Sequence, residues 1–216
     1  NAANLQLEQL SLFDALTGLP NRTLFRDRVH HEIEVAQVAR THLAILLIDL
    51  DKFQDINNSY GQETGDALLK AVATLLEGML KTGNTLSRVS GDEFAALICD
   101  ADADDAVALA QAMNEKLAAG VRADGHAIAV GASIGIAIFP GHGDNLSFLM
   151  KSADLAMNSA KEERSGVCVY DPTRDSGKES RFALTQHLRD ALDREEFSLY
   201  YQPKLDLASG RMELRV

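Results

Sequence analysis

The chain is poor in cysteine, in long apolar runs and in basic residues, and each shortage excludes a class of protein. The two cysteines, Cys99 and Cys168, lie within apolar runs and lack the spacing of a zinc site or a disulfide framework. Apolar stretches such as residues 43–48 are far shorter than the roughly 20 residues of a membrane-spanning helix. We therefore expect a cytoplasmic fragment that makes no membrane contact.

The charge balance excludes a second class. The 216 residues carry 32 Asp and Glu against 21 Lys and Arg, a net charge of −11. Proteins that bind the nucleic-acid backbone concentrate basic residues, so no nucleic-acid partner is expected, and any bound nucleotide should be small and accompanied by a metal ion. A hydrophobic content of 46% indicates a folded chain, long enough for one domain and a fragment of a second.

The spacing of apolar residues predicts helices that alternate with strands. Helical periodicity predicts helices at 21–40, 65–80, 101–119 and 145–161. Apolar and β-branched runs predict strands at 42–50, 85–89, 94–99 and 167–170, and two more within 121–139 that are broken at Asp124-Gly125. This order predicts an α/β (α+β) domain with a central, mostly antiparallel sheet flanked by helices.

Composition divides the chain into segments. Residues 171–178 are rich in Pro, Gly, Ser and charge, which is typical of an exposed linker. They separate a domain at 13–170 from a segment at 179–216 that is too short to bury its own core. Leucines in residues 1–12 predict the end of an incoming linker helix. In the last segment, the sequence predicts a helix at 179–194 and a strand at 197–202.

Acidic side chains gather at the ends of neighbouring predicted strands. Asp49 and Asp51 end one strand, and Asp92 and Glu93 occupy the turn of the following hairpin. Mg²⁺ is held by one or two protein carboxylates together with substrate phosphates, so these acids are sufficient for a site. Taken alone, each acid is better explained as a solvated turn residue. Four of them at two strand ends favour a metal-bound nucleotide.

Several motifs occur in the order and spacing of a known family. They are DALTGLPNR at 14–22, DLDKF at 49–53, Ile56-Asn57, Gly65-Asp66, SGDEF at 90–94, SIGIA at 133–137, ADLAM at 153–157 and Ala160-Lys161. Over roughly residues 12–170 the chain resembles a GGDEF domain, whose fold is similar to nucleotidyl cyclases and polymerase palms. Residues 188–191 and 196–204 resemble the start of an EAL phosphodiesterase domain. The chain stops before that domain's metal-binding motif, so this fragment is not expected to be a phosphodiesterase.

The resemblance implies a diguanylate cyclase, in which two facing protomers each hold one GTP and condense the pair to cyclic di-GMP and two pyrophosphates. It places Mg²⁺, or Mn²⁺, on Asp49, the Leu50 carbonyl and Asp92, with Asp92 and Glu93 as the catalytic acids. It also implies a substrate-binding set: Phe53, Asn57, Asp66, Gly91 and Lys161. The implied partners are GTP, a second copy of the domain, the adjoining EAL domain and an upstream sensory domain. Because the sequence starts at Asn1, we expect a piece of a longer protein, whose membrane attachment stays open.

Within the implied set, the resemblance implies that Asn57 and Asp66 bind the edge of the guanine base. It implies that Lys161 neutralises the charge of the phosphates. Each residue also has an ordinary structural interpretation. Asn57 fits a turn or cap, Asp66 an acid in the first turn of a helix, and Lys161 a partner of a helix C-terminus. Phe53 fits a plain core position. Gly91 would leave room for a nucleotide close to the backbone.

The sequence departs from the family pattern at the phosphate contacts. Gln54 replaces a Lys, and Ser165 stands where an Arg is usual, with Arg164 one position early. On a continuous helix this shift would turn the side chain by about 100°. Asn58 and Gln62 also differ from the usual Asp and His.

Two departures concern turns. Ser90 replaces the first Gly of the signature, where a positive φ would be unfavourable for serine. Lys81-Thr82-Gly83-Asn84 replaces the Arg-x-x-Asp of the family's product-inhibition site, so inhibition there is not expected.

Three functions remain open from the sequence. The first is a diguanylate cyclase domain of a GGDEF and EAL protein. The second is a degenerate GTP-binding domain that regulates the adjoining phosphodiesterase without making product. The third is a structural dimerisation element with no affinity for GTP.

Overall fold

The computed structural model describes residues 12–173 and two short strands near the C-terminus. Contacts between α-carbons divide the chain into a first unit, Asn1–Asp171, and a second unit, Pro172–Val216. In the described part of the first unit, the helices are α1 (Arg22–Ala39), α2 (Phe53–Tyr60), α3 (Gln62–Glu77), α4 (Ala103–Ala118) and α5 (Leu146–Glu163). The strands are β1 (Leu43–Leu50), β2 (Thr85–Ser90), β3 (Glu93–Cys99), β4 (Val121–Ala123), β5 (His126–Ile128), β6 (Ala132–Phe139) and β7 (Val167–Val169).

Five of these strands form one sheet in the order β2-β3-β1-β6-β7. All neighbouring pairs are antiparallel except β6 and β7, which are parallel. β4 and β5 form a separate hairpin. The predicted α+β fold with a mostly antiparallel sheet is therefore confirmed.

The central strand β1 has a hydrophobic cluster on each face. Its even-numbered residues from Ala44 to Leu50 pack with α3 and α4, whereas Leu43 and Ile45 pack with α1 and α5. Successive side chains of a strand point to opposite faces. Asp49 at the end of β1 therefore lies on the face covered by α1 and α5.

Gly135 lets α5 pack closely on β6. A Cβ at this position would collide with the carbonyl oxygen of Ala153 and the amide nitrogen of Met157, both in the backbone of α5. The absence of a side chain at Gly135 thus sets the distance between helix and sheet. It also sets how near the C-terminal end of α5 comes to the end of β1.

Most predicted elements are confirmed with small shifts at their ends. The side chain of Asn21 caps α1 by accepting from the amides of Thr23 and Leu24 at 2.9 and 3.2 Å. Asp124-Gly125 is the turn between β4 and β5, with φ values of 47° and 78°. The prediction of two strands within 121–139 is wrong, because a third strand, β6, follows the hairpin after a break at residues 129–131.

The sequence did not predict α2. This helix has eight residues, none of them fully buried, and its N-cap, Lys52, makes no capping hydrogen bond through its side chain. Its apolar residues Phe53, Ile56 and Tyr60 follow a helical spacing, but a helix of eight residues without a side-chain cap is too short to be predicted from that spacing. α3 also begins at Gln62, three residues before the predicted start.

In the second unit, β8 (Gln202–Leu205) pairs antiparallel with β9 (Met212–Arg215). The predicted linker helix at 1–12 lies almost entirely outside the described residues, and the helix at 179–194 does so completely. The strand predicted at 197–202 overlaps the described part only at Gln202. Among the described residues, no helix is both long and apolar enough to cross a bilayer.

Candidate active site

The register of the sheet places the acids of β1 beside the turn between β2 and β3. Asp49 pairs with Glu93 on one side and with Ser133 on the other. The amide of Leu50 donates to the carbonyl oxygen of Asp92 at 3.3 Å. Two strand ends that are distant in sequence therefore meet at one edge, as the acidic pattern indicated.

Asp49 sits in a strongly charged environment. Its Oδ2 lies 2.8 Å from the Nζ of Lys161 on α5, and only 14% of its side chain is exposed. Burial raises the pKa of Asp49; Lys161 acts to lower it, and the nearby charges of Asp92 and Glu93 act to raise it, with a raised pKa as the net result. The mutual repulsion of these three carboxylates is what a bound cation would relieve.

The donor set suits a cation that brings other ligands with it. Within residues 12–173, no three acidic, imidazole or thiol side chains converge as a ready cage. Asp49, Asp92 and the carbonyl of Leu50 offer oxygen ligands only, which Mg²⁺ and Mn²⁺ accept, and Mg²⁺ completes its shell with water and phosphate oxygens. The residues present therefore fit a divalent ion escorting a nucleotide.

Asp51, the other acid of this strand end, is turned toward β6. Its Oδ1 accepts from the hydroxyl of Ser133 at 2.8 Å, and its amide donates to the carbonyl of Gly131 at 2.9 Å. Of the four acids singled out in the sequence, Asp51 thus has a structural role in closing the turn after β1.

The signature turn does not have the strain expected at Ser90. Ser90 has no positive φ; it ends β2 opposite Glu93, and its hydroxyl donates to Glu93 Oε2 at 2.6 Å. The positive φ, 44°, belongs to Gly91. A Cβ on Gly91 would meet no protein atom within 4 Å, so the chain itself requires glycine there for conformation rather than for space.

Arg88 ties this turn to the start of the domain, which the sequence reasoning missed. Its Nε and Nη2 donate to the carbonyl of Gly91 at 2.9 and 2.6 Å, and its Nη1 pairs with Asp14 Oδ1 at 3.0 Å. Burial acts to raise the pKa of Asp14, but hydrogen bonds from Thr17 and the charge of Arg88 outweigh it and lower the pKa. A lone arginine inside a strand gives no sequence signal of this contact.

A second group of predicted residues meets where α2 packs on α3. The Oδ1 of Asn57 is buried and has no hydrogen-bond partner among the described residues. This oxygen lies against Gly65, and a Cβ on Gly65 would collide with it. The same Cβ would lie 3.3 Å from the Cζ atom of the Phe53 ring. Asp66 follows Gly65 directly and is half-buried. An acceptor of this kind costs about 1–3 kcal/mol when unpaired, so Asn57 is suited to a ligand with N–H donors.

A cavity of about 720 Å³ opens between the end of β1 and the C-terminal end of α5. Its lining includes Lys52, Lys161 and Arg164. The expected 100° rotation of Arg164 is wrong, because α5 ends at Glu163 and Arg164 adopts a left-handed conformation, φ 54° and ψ 33°. The direction of its side chain is therefore not set by helical phase.

The segment that replaces the inhibition site is part of the sheet edge. Asn84 Oδ1 accepts from the amide of Cys99 at 3.0 Å, and Cys99 Sγ contacts the carbonyl of Gly83 at 3.7 Å. Asn84 thus fastens the segment before β2 to the end of β3.

With this geometry established, comparison with known proteins identifies the family. The family model described as "Diguanylate cyclase, GGDEF domain" matches residues 11–166. The chain belongs to the GGDEF family. The GGDEF resemblance drawn from the motifs is therefore confirmed, whereas the match says nothing about the EAL segment.

The chain is similar to three proteins from Pseudomonas aeruginosa whose names concern cyclic di-GMP. The bifunctional diguanylate cyclase/cyclic di-GMP phosphodiesterase MucR is 37% identical over 211 residues, which are 97% of this chain and 31% of MucR. The cyclic di-GMP phosphodiesterase NbdA is 31% identical over 211 residues, 97% of this chain and 27% of NbdA. The diguanylate cyclase TpbB is 37% identical over 171 residues, 76% of this chain and 39% of TpbB.

A solved structure of the TpbB GGDEF domain alone matches with a TM-score of 0.72 at 33% identity. The match covers 77% of this chain and 99% of the solved one. The chain thus spans well under half the length of these curated relatives but all of an isolated GGDEF domain. The described residues therefore include the whole GGDEF fold on which the candidate site residues lie.

Proposed function

We propose that this domain binds GTP with Mg²⁺ or Mn²⁺ and condenses two GTP molecules to cyclic di-GMP and two pyrophosphates. The observation that carries the proposal is the strand register that sets Asp49 against the Asp92-Glu93 turn. The names of MucR and TpbB, both described as diguanylate cyclases, support it.

In this proposal the carboxylates hold the metal, which acts on the substrate. Asp49, Asp92 and the Leu50 carbonyl are the metal ligands, and Glu93 is the second catalytic acid of the turn. When bound, the metal would polarise the α-phosphate and favour loss of the proton from the attacking 3′-hydroxyl. Lys161, already 2.8 Å from Asp49, would move its charge onto the phosphates when a cation replaces it beside the carboxylate.

The groove between α2 and α3 would select guanine. Guanine offers N–H donors at N1 and N2, which the Asn57 Oδ1 and the Asp66 carboxylate can accept. Adenine lacks these donors, so it would leave the buried Asn57 oxygen unpaired. Phe53, whose ring lies beside Asn57 and Gly65, would form the apolar wall of the groove.

The reaction needs two copies of the domain. Each copy would bring one GTP, so that the 3′-hydroxyl of each nucleotide attacks the α-phosphate of the other and pyrophosphate leaves. The open space next to Gly91 leaves room for this approach at the signature turn. Activity should therefore rise more steeply than linearly with protein concentration while the dimer is weak.

A product assay tests the proposal. The protein, at high concentration, is incubated with GTP and Mg²⁺, and the nucleotides are separated by chromatography. We expect cyclic di-GMP from the wild type and from Asp104→Asn, an exposed acid in the first turn of α4 that does not line the cavity, but none from Asp92→Asn. Equal product from Asp92→Asn would overturn the assigned site.

A second function is favoured by one specific observation, the neutral side chains at Gln54 and Ser165 where the family pattern has cations. The domain could bind GTP and regulate an adjoining phosphodiesterase without turnover, and the name of NbdA, a phosphodiesterase, agrees with that use. Tight GTP binding without product in the same assay would select this alternative. A purely structural dimerisation element would bind no GTP at all.

We further propose that the parent protein is a cytoplasmic GGDEF and EAL signalling protein with an upstream sensory domain. The bifunctional name of MucR and its 97% coverage of this chain support the EAL partner. Sequencing of the adjoining coding region tests this directly. A downstream region without the remainder of an EAL domain would refute it.

A further inference from the structure

We infer that Lys52 and Arg164 bind the triphosphate of the nucleotide and take over the roles of the cations missing at positions 54 and 165. The inference rests on the proposed function, because the cavity adjoins the proposed GTP site through Lys161, which pairs with Asp49. It starts from the cavity of about 720 Å³, which both side chains line together with Lys161.

Lys52 is placed at the cavity by an unusual backbone conformation. It adopts φ 57° and ψ 29° in the turn between β1 and α2, and its side chain makes no capping hydrogen bond. A non-glycine residue in this conformation is uncommon and directs the side chain differently from a helical or extended residue. Within residues 12–173, Lys52 has no ion pair that would hold it away from an incoming phosphate.

Arg164 lines the cavity directly after the end of α5, and the backbone around it is held by hydrogen bonds. The amide of Ser165 donates to the carbonyl of Ala160 at 3.1 Å, which closes the C-terminus of α5. Asn114 on α4 donates to the carbonyl of Gly166 at 3.0 Å and accepts from the amide of Ala132 at 2.9 Å. The backbone on both sides of Arg164 is therefore held, while its guanidinium forms no ion pair among the described residues.

The neutral side chains at positions 54 and 165 both form hydrogen bonds within the protein. Gln54 Nε2 donates to Asn58 Oδ1 at 3.3 Å along the exposed side of α2, and Gln54 does not line the cavity. The hydroxyl of Ser165 donates to the carbonyl of Val167 at 3.3 Å. Neither side chain is available to neutralise phosphate charge, so the available cations are those at 52 and 164.

The charges of the cavity agree with an anionic ligand. Two acids, Asp51 and Glu115, also line it, against the three cations Lys52, Lys161 and Arg164, so the lining side chains carry one net positive charge. Lys161 is shared with Asp49, so Lys52 and Arg164 supply the positive charge that is not already paired. If Lys52 and Arg164 bind phosphates, the affinity lost on removing either charge should grow with the number of phosphates on the ligand.

The experiment measures binding by calorimetry, not turnover. Dissociation constants for GMP, GDP and GTP with Mg²⁺ are determined for the wild type, Lys52→Met, Arg164→Met and the double variant. Each single substitution should weaken GTP binding about tenfold, and the double variant more, with GMP affinity unchanged. Lys70→Met and Arg26→Met, exposed cations outside the cavity, serve as matched controls and should bind all three ligands like the wild type.

The outcomes separate this inference from the proposed function. If the wild type binds GTP and both variants bind it equally well, the inference is wrong and the proposed function stands. Equal losses for GMP and GTP would also overturn it, because the phosphates would not be what is recognised. If the wild type with Mg²⁺ binds no GTP, the proposed function fails, and the inference fails with it. Lys52→Arg, which keeps the charge, should retain most of the GTP affinity.

Discussion

The two ends of the candidate site are built in different ways. At the carboxylate end, Asp49 and the Asp92-Glu93 turn meet because the register of antiparallel strands fixes their positions. At the cation end, Lys52 and Arg164 both lie at helix ends in left-handed conformations. Strand register tolerates no shift, because a slip by one residue moves every side chain to the other face. A helix end offers several positions from which a long side chain can reach one cavity.

The carboxylate end should therefore be the more sensitive to substitution. Asp49→Asn removes one of the two proposed metal carboxylates and leaves Lys161 without its ion-pair partner. We expect cyclic di-GMP formation to fall about 1,000-fold, equivalent to about 4 kcal/mol of transition-state stabilisation. Lys161→Met, at the cation end, should cost about 10- to 100-fold. Steady-state product assays at saturating Mg²⁺ compare the two, and a larger loss from Lys161→Met would reverse the comparison.

The packing of α5 connects the two ends and can be broken selectively. Gly135→Ala places a methyl group against the backbone of α5 at Ala153 and Met157. Overpacking of this kind costs about 1–3 kcal/mol, and it should move Lys161 away from Asp49. Urea unfolding measures the stability loss. Gly141→Ala is the control, since its Cβ would meet only the Ile138 carbonyl at 3.9 Å. Equal stability of the two variants would contradict the close approach.

Selection of guanine should change without an effect on the carboxylate end or the cation end of the site. In Gly65→Ala the new methyl group meets the end of the Asn57 side chain, which can rotate away, so the fold should lose little stability. We expect the preference for GTP over ATP to fall about tenfold, the cost of about 1.4 kcal/mol for one lost hydrogen bond. Competition binding with the two nucleotides measures the ratio. An unchanged preference would remove Asn57 from guanine recognition.

The smallest loss of stability is expected at the ion pair of Asp14 and Arg88, which holds the signature turn through the Gly91 carbonyl. Because the folded-state pKa of Asp14 is lowered, its contribution to stability is present above the unfolded value of 3.8 and is lost as pH falls through the folded value. Asp14→Asn keeps an acceptor for Thr17 but loses the charge. The substitution should lower the free energy of unfolding at neutral pH by up to about 1 kcal/mol. It should also reduce the fall of that free energy as the pH is lowered below 3.8, measured by urea unfolding at several pH values. If the free energy of unfolding of the variant falls at acid pH as steeply as that of the wild type, another group causes the acid dependence.

Sequence patterns predicted the carboxylate end better than the cation end, for the same physical reason. The acids at the predicted strand ends were expected to lie together, and the register sets Asp49 opposite Glu93, next to Asp92; their role as metal ligands stays a prediction. The pattern at Arg164 misled because it assumed a helix continuing past Glu163. The helix α2 is too short for its apolar spacing to predict it, and the conformation of Lys52 depends on tertiary packing. Arg88 was missed because its partners, Asp14 and the Gly91 carbonyl, come together only in the fold.

Calorimetric titration of GTP, with and without Mg²⁺, into the wild type and Asp92→Asn tests the central claim most directly. If Asp49 and Asp92 share a metal that escorts the nucleotide, the wild type should bind GTP in a Mg²⁺-dependent manner, and Asp92→Asn should lose that dependence together with most of the affinity. Binding that is equally tight without Mg²⁺, or equally tight in Asp92→Asn, would contradict it.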